Sequence, residues 1–597
     1  MAMSLTDYCL AQTEPLARET LARYVPPNAG LFLEIHRLPA GLERYARGPL
    51  YKRLKTFPAW SEWIKAEADA IDGMSVRLAE AFGMTWETFE RDIAGGQIAL
   101  ASWPISPPSN AQAANHSPDA SPAGSTLLIV QALRADSLAK LVEGFRALQA
   151  TAGVVWMQES VSGVNMLIGS TEPDARKVRY SLAVIDRTAI VCDSPSLCRR
   201  VIGLHRAVTD DQGAESLADL DSFQQSQTAL PDSVHLFAFL NPVPWQNALA
   251  KRIADGKFSE GEQAQQQATL DLWQSLTYGA AGIQLGREFE LSSVFQFDKS
   301  RMPPKLGGFL RSAAGNSRMV QALPRNCLAS VAIHLDLTRL PDLLLDQSDT
   351  RQVNPIFRQI FAALGPEFGA HLTEVSRSGN ATGQTANSRA NAEEPFPLAW
   401  VFEMGWRPTL SIDDLPQDSD TMFREAMPEV LNLAYRVTSS SLFANLHTLV
   451  DQGAQLTSLQ EWTLFAAGGE STTFGLKDGY LLASAASQAV AEFRSQDATS
   501  PLVANAEIRR MLERPFLGGE PNQVLLLNCR GLRELLSRRG AEIAAGIEAA
   551  QSVSNAEAQL AVTQMAQVLQ LADYISASAR VTEDRLAIAI LISAEDD

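Results

Sequence analysis

A proline-led strand that occurs twice limits what this chain can fold into. Val25-Pro26-Pro27-Asn28-Ala29-Gly30 leads into Leu31-Phe32-Leu33-Glu34-Ile35-His36. Leu323-Pro324-Arg325-Asn326-Cys327 leads into Leu328-Ala329-Ser330-Val331-Ala332-Ile333-His334, with Pro, Asn, Ile and His in the same places 298 residues on. Proline fixes φ and ends what precedes it, and the alternating apolar run after it predicts a half-buried strand. Looser copies stand at Leu230-Pro231-Asp232-Ser233-Val234 and Glu520-Pro521-Asn522-Gln523-Val524.

Other elements return in the same order. A hairpin over Tyr180–Ile185 and Thr188–Cys192 has its counterpart at Glu470–Leu476 and Tyr480–Ser484, about 291 residues later. The hairpin Gly279–Leu285 / Phe289–Phe297 returns 296 residues on as Ile575–Val581 / Arg585–Ile592. Residues 104–125, rich in Pro, Ser, Ala and Asn, and residues 376–394 are low-complexity and predict a mobile loop in each half. Helical spacing is predicted over Pro49–Glu90, with Trp60 and Trp63 one turn apart in the core, over Leu138–Leu148, and as one long helix from Trp245 to Leu276. Helices are also predicted through Met422–Tyr435, Leu532–Ile547 and Leu560–Leu571.

These readings predict an α+β protein of two tandem pseudo-repeats, with twisted, mostly antiparallel sheets backed by helices. The expected parts are a larger unit at 20–205, a smaller one at 228–300, and their counterparts at 320–495 and 515–597. Strand–helix–strand–strand–helix–strand in the larger part is the ferredoxin-like order.

At 597 residues the chain needs several cores, and its 46% apolar share can fill them. A net charge of −18 without a Lys/Arg cluster argues against nucleic acid as a partner. No run of 18 apolar residues is present, so no membrane span is expected. Five scattered cysteines form no disulfide framework or Cys-x-x-Cys pair, and Cys192 and Cys198 are expected to be two small buried side chains. The acidic stretches at Asp210–Asp221 and Asp413–Asp420 do not have the glycine of a calcium loop at the right place.

No phosphate loop, nucleophile elbow or metal-protease helix occurs, and no catalytic, metal or cofactor set is legible. The polar candidates are His36 and His334, each closing the first strand of its half. A histidine there can carry a proton, or simply bond a nearby carbonyl.

The pieces Val25–Ile35, Asp478-Gly479-Tyr480-Leu481-Leu482-Ala483-Ser484 and Ala485–Phe493 resemble an uncharacterised family of large bacterial proteins known only as a domain of unknown function. In the first half Arg187-Thr188 replaces the Asp-Gly of that hairpin. The resemblance implies a secreted, envelope-associated protein and supplies no activity. Met1–Gln12 has no basic n-region or continuous apolar run, which reads as cytoplasmic unless a leader is missing from this start. The expected function is a non-enzymatic envelope, scaffold or protein-interaction role. The alternatives are a binding protein for an apolar or amphipathic ligand, and a hydrolase whose residues converge only in space.

Overall fold

A computed structural model describes residues 20–57, 78–104, 124–171, 178–209, 215–321 (except 257), 327–336, 364–375, 397–406, 462–465, 471–477, 480–484 and 505–595, with scattered single positions between. The chain divides into two units, Met1–Pro303 and Pro304–Asp597. Residues 105–123 and 376–394 of the two low-complexity segments lie outside the described residues, as do Trp63, the helix expected over Met422–Tyr435 and the turn residues Asp478-Gly479.

In the first unit the strands are β1 (Leu31–His36), β2 (Gln97–Ser102), β3 (Thr126–Gln131), β4 (Val155–Val161), β5 (Val164–Ser170), β6 (Val178–Ile185), β7 (Thr188–Cys192), β8 (Leu236–Leu240), β9 (Leu276–Leu285) and β10 (Phe289–Phe297). They lie side by side in the order β4-β5-β6-β7-β3-β2-β1-β8-β9-β10, every neighbour antiparallel. Because β1 pairs with β2 on one side and β8 on the other, the first and last thirds of the unit share one sheet.

The second unit contains β11 (Cys327–His334), β12 (Leu364–Glu374), β13 (Leu398–Trp406), β14 (Trp462–Phe465), β15 (Ser471–Lys477), β16 (Tyr480–Ser484), β17 (Gln523–Asn528), β18 (Tyr574–Val581) and β19 (Arg585–Ser593). Their order is β14-β15-β16-β13-β12-β11-β17-β18-β19, again antiparallel throughout. The molecule is thus a mixed α+β protein built on antiparallel sheet.

The ferredoxin-like pairing expected from the element order is not formed. A split β-α-β unit places another strand between the two joined by its helix. Here β1 lies directly against β2, and β11 against β12, as antiparallel neighbours. The element order is compatible with both layouts, and only long-range pairing separates them.

Local chemistry accounts for the helix boundaries. The long helix expected over Trp245–Leu276 is two, α1 (Pro242–Asp255) and α2 (Glu260–Ser275). Gly256 ends the first, and Ser259 with Glu262 forms a reciprocal capping box that starts the second. The second unit repeats the device: α3 (Cys529–Gln551) is followed by α4 (Asn555–Leu569), which opens on a Ser554/Glu557 box. Asn241 caps α1 by accepting from the Val243 N–H, and Asn528 caps α3 by accepting from the Gly531 N–H. Just before β2, a Cβ on Gly96 would sit 1.9 Å from the Gln131 carbonyl oxygen, so glycine is what lets the chain enter β2 against the end of β3.

Each sheet has an inner face that packs a core. In the first unit Phe32, Phe237 and Phe239 meet Phe223 edge to face. In the second, Ala332, Val401, Leu482, Val524 and Leu526 pack with Met319, Phe493, Ile508 and Met511. No described helix is long and apolar enough to cross a membrane.

Candidate functional site

His36 and His334 stand at matching places, and their backbones do the same work. The His36 N–H donates to the His235 carbonyl at 2.8 Å, and the His334 N–H to that of Asn522 at 3.0 Å. Their side chains part company. His36 Nε2 lies 3.2 Å from Glu34 Oε2, but that buried carboxylate also accepts from Thr20 Oγ1 at 2.7 Å and from the Leu21 N–H at 2.6 Å. Glu34 thereby caps the short helix Leu21–Tyr24, where an anion is favoured by the exposed N–H groups. The His334 ring packs on Gly315, where a Cβ would come within 2.3 Å of Nε2. The sequence candidates are brought into two structural corners rather than into one site.

The residues opposite them explain those corners. His235 Nδ1 accepts from the Leu285 N–H at 3.1 Å, and Asn522 Oδ1 accepts from the Val581 N–H at 2.9 Å. Imidazole and amide do one job, each closing the end of the following hairpin. Because Nδ1 accepts, it carries no proton. Burial, then Arg44 and His36, lower the His235 pKa from its ordinary value. The unfolded chain therefore takes up a proton near pH 6.5 that the folded ring resists, and stability present above that pH is lost as pH falls. His235→Asn is expected to fold normally and to flatten part of the loss seen in denaturant unfolding of the first unit between about pH 7 and pH 5. An unchanged slope would assign the pH dependence elsewhere.

The most chemically suggestive group is one the sequence reading did not single out. Ser330 on β11, His371 on β12 and Glu403 on β13 form a chain across three adjacent strands. Ser330 Oγ is 2.9 Å from His371 Nδ1, and His371 Nε2 is 3.1 Å from Glu403 Oε2. The register makes this possible: Ser330 lies opposite His371, and Glu403 opposite Gly369, two residues along. A Cβ on Gly369 would meet His371 Nε2 at 2.3 Å and Met319 Sδ at 2.5 Å, so glycine leaves the ring its room. Phe493 lies against the imidazole at 5.4 Å between centroids.

All three side chains are out of water: Ser330 is 1% exposed, His371 0% and Glu403 2%. The hydroxyl meets Nδ1 and the carboxylate Nε2, and β11 is hydrogen-bonded into the sheet on both sides. The backbone N–H groups that would stabilise an oxyanion are therefore committed to the ladders. The chain can hold a proton, but a substrate reaches it only if the core opens.

At the matching register positions of the first unit stand Phe32, Ala101 and Ile129. Phe32 lies opposite Ala101, and Ile129 opposite Ala99. All three are buried and apolar. The exchange runs the other way one step along, where buried Glu34 stands at the place of Ala332. The second unit caps its corresponding helix Arg318–Gln321 from the neighbouring strand instead: Glu367 on β12 accepts from the Met319 N–H at 3.1 Å and from the Tyr480 hydroxyl.

The four described cysteines are not poised for chemistry. Cys192 and Cys198 are buried and unbridged, and the Cys198 thiol and burial raise the Cys192 pKa. Burial pushes Cys327 up to about 12 and Cys529 to about 11, so both stay thiols at neutral pH. Asp219 of the first acidic stretch closes a capping box with Ser216. Among the described residues no group of three or more His, Cys, Asp or Glu is placed to hold a metal ion. No family model, curated protein or solved structure matches the chain.

Proposed function

We propose that the chain is a non-enzymatic protein-interaction protein built by tandem duplication, and that it meets its partner through the outer face of the second unit's sheet. The observation that carries this is an apolar patch. Leu525, Val331, Ala370 and Phe402 form one row across β17, β11, β12 and β13, with Ile333 and Trp400 in the rows on either side. Trp400 is 47% exposed, Leu525 46% and Ile333 39%. Beside them α3 and α4 bring Leu532, Leu535, Leu536 and Val562 against Leu372, Leu527 and Ile575. Large apolar groups kept in water on adjacent strands mark interaction surfaces, and tryptophan is a frequent anchor of such contacts.

Duplication is supported by the like strand order, by the two Asn-capped helices, and by the shared work of His235 and Asn522. An envelope location, implied by the resemblance to the uncharacterised bacterial family, belongs to the same reading. A hydrolase reading has the Ser330–His371–Glu403 chain in its favour, but its burial and reversed ring orientation weigh against a working nucleophile.

The test places a photo-crosslinking residue at position 525 in cells of the source organism. The expected result is a discrete adduct that falls about tenfold with Trp400→Glu, the size of effect that loss of an anchor brings. No adduct, or one indifferent to that substitution, overturns the reading. So does covalent labelling of Ser330 by a fluorophosphonate.

A further inference from the structure

A second polar cluster lies where the last strand of the second unit ends. Asp573, wholly buried, stands just before β18 and accepts from the Glu595 N–H at 2.7 Å. The Arg530 guanidinium of α3 bridges Asp573 at 3.3 Å and Glu595 at 2.6 Å, and stacks 5.8 Å from the Tyr574 ring. Arg533, also of α3, bonds Asp573 and the carbonyls of Leu569 and Ala572. Facing them is α5 (Ala506–Leu512), which packs on β18 and whose Met511 Sδ receives the Ser593 hydroxyl at 3.4 Å. One turn before Met511 comes Glu507, and two residues after Ser593 comes Glu595. Both side chains are thereby brought to the corner where α5 meets the end of β19.

The cluster therefore holds three carboxyls and two guanidiniums, one negative charge too many if all are ionised. Two carboxyls brought to one corner cannot both stay ionised without repelling, and one proton resolves both problems. We propose that this is a proton-operated clamp. With Glu507 protonated, its hydroxyl donates to Glu595 and holds α5 to the end of β19. When the proton leaves, the two carboxylates repel and the first turn of α5 loosens.

The electrostatics agree on which group carries the proton. Burial and then Glu595 push Glu507 up to about 7, with Asp573 adding to the rise and Arg530 opposing it. Arg530 holds Glu595 below its ordinary value. A raised carboxyl pKa means that the folded state holds a proton the unfolded chain has released. This contribution is complete below about pH 4.5 and is lost as pH rises through about 7. The direction is opposite to that of His235 in the first unit.

Hydrogen exchange on the full chain, corrected for the intrinsic effect of pH, reads the clamp over residues 505–513. Between pH 6 and pH 8.5 protection there is expected to fall about tenfold, as for one pKa unit of coupling at a partly exposed group. Residues 523–528 of β17 are expected to stay unchanged over the same range. Glu507→Gln keeps a neutral donor and should hold its protection at both pH values. Glu595→Gln, which removes the repulsion from the other side, should do the same and serves if the first variant fails to fold. A wild-type segment with no loss, or an equal loss in whichever variants fold, overturns the clamp.

Discussion

Truncating His371 to alanine is expected to destabilise the second unit by about 3–5 kcal/mol, the size of effect when a large buried side chain is cut back and its buried hydrogen-bond partner loses it. The ring lies buried between Ser330 and Glu403, so its loss leaves a buried carboxylate without the imidazole and opens a void beside Phe493. The combined Ser330→Ala, His371→Leu, Glu403→Met variant is expected to lose far less, about 1 kcal/mol or nothing, because polar groups that bond one another are removed together. The first unit supplies the precedent, with Phe32, Ala101 and Ile129 filling the same register positions. Denaturant unfolding checks both, read on the transition of the second unit since two units need not unfold as one. A triple variant as damaged as the single one would mean that the polar chain is required for the fold itself.

Asp573→Ala is expected to remove about 2–4 kcal/mol, the second largest effect. One side chain there joins three elements: Arg530 and Arg533 from α3, and the Glu595 N–H just beyond β19. Alanine leaves Arg530 with Glu595 and Arg533 with the Leu569 and Ala572 carbonyls but no carboxylate from Asp573, and strips the Glu595 N–H of its acceptor. Asp573→Asn keeps the acceptor but not the charge and should lose about half as much. The unfolding midpoint of the second unit measures both. Equal stability of wild type and Asp573→Ala would show that the arginines find replacement partners.

Much of the architecture could be read from the chain because it is written locally. The alternation of Leu31–His36, the turn at Asp186-Arg187 with Asp186 at φ 52°, and the Asn and Ser caps each act over a few residues. Strand pairing is not local. The β1–β2 contact joins residues some sixty positions apart, and nothing in the order of elements distinguishes it from a split arrangement. Ser330, His371 and Glu403 were hidden for the same reason: they sit 41 and 32 residues apart on three strands, and only the ladder register turns them inward together. A signal was present in Gly369-Ala370-His371-Leu372-Thr373, where alternation puts His and Thr on the face that the neighbouring strands reserve for apolar groups. His36 and His334 drew attention by their matched positions, yet the match reflects a common strand end and not a common reaction.

If the outer apolar face of the second unit meets the partner and the Ser330–His371–Glu403 chain is core, the two can be altered separately. Crosslinking from position 525, compared between the Ser330→Ala/His371→Leu/Glu403→Met variant and Trp400→Glu, separates them. Wild-type adduct is expected in the first and about tenfold less in the second. A folded triple variant that loses the adduct, beside a Trp400 variant that keeps it, would reverse the two assignments.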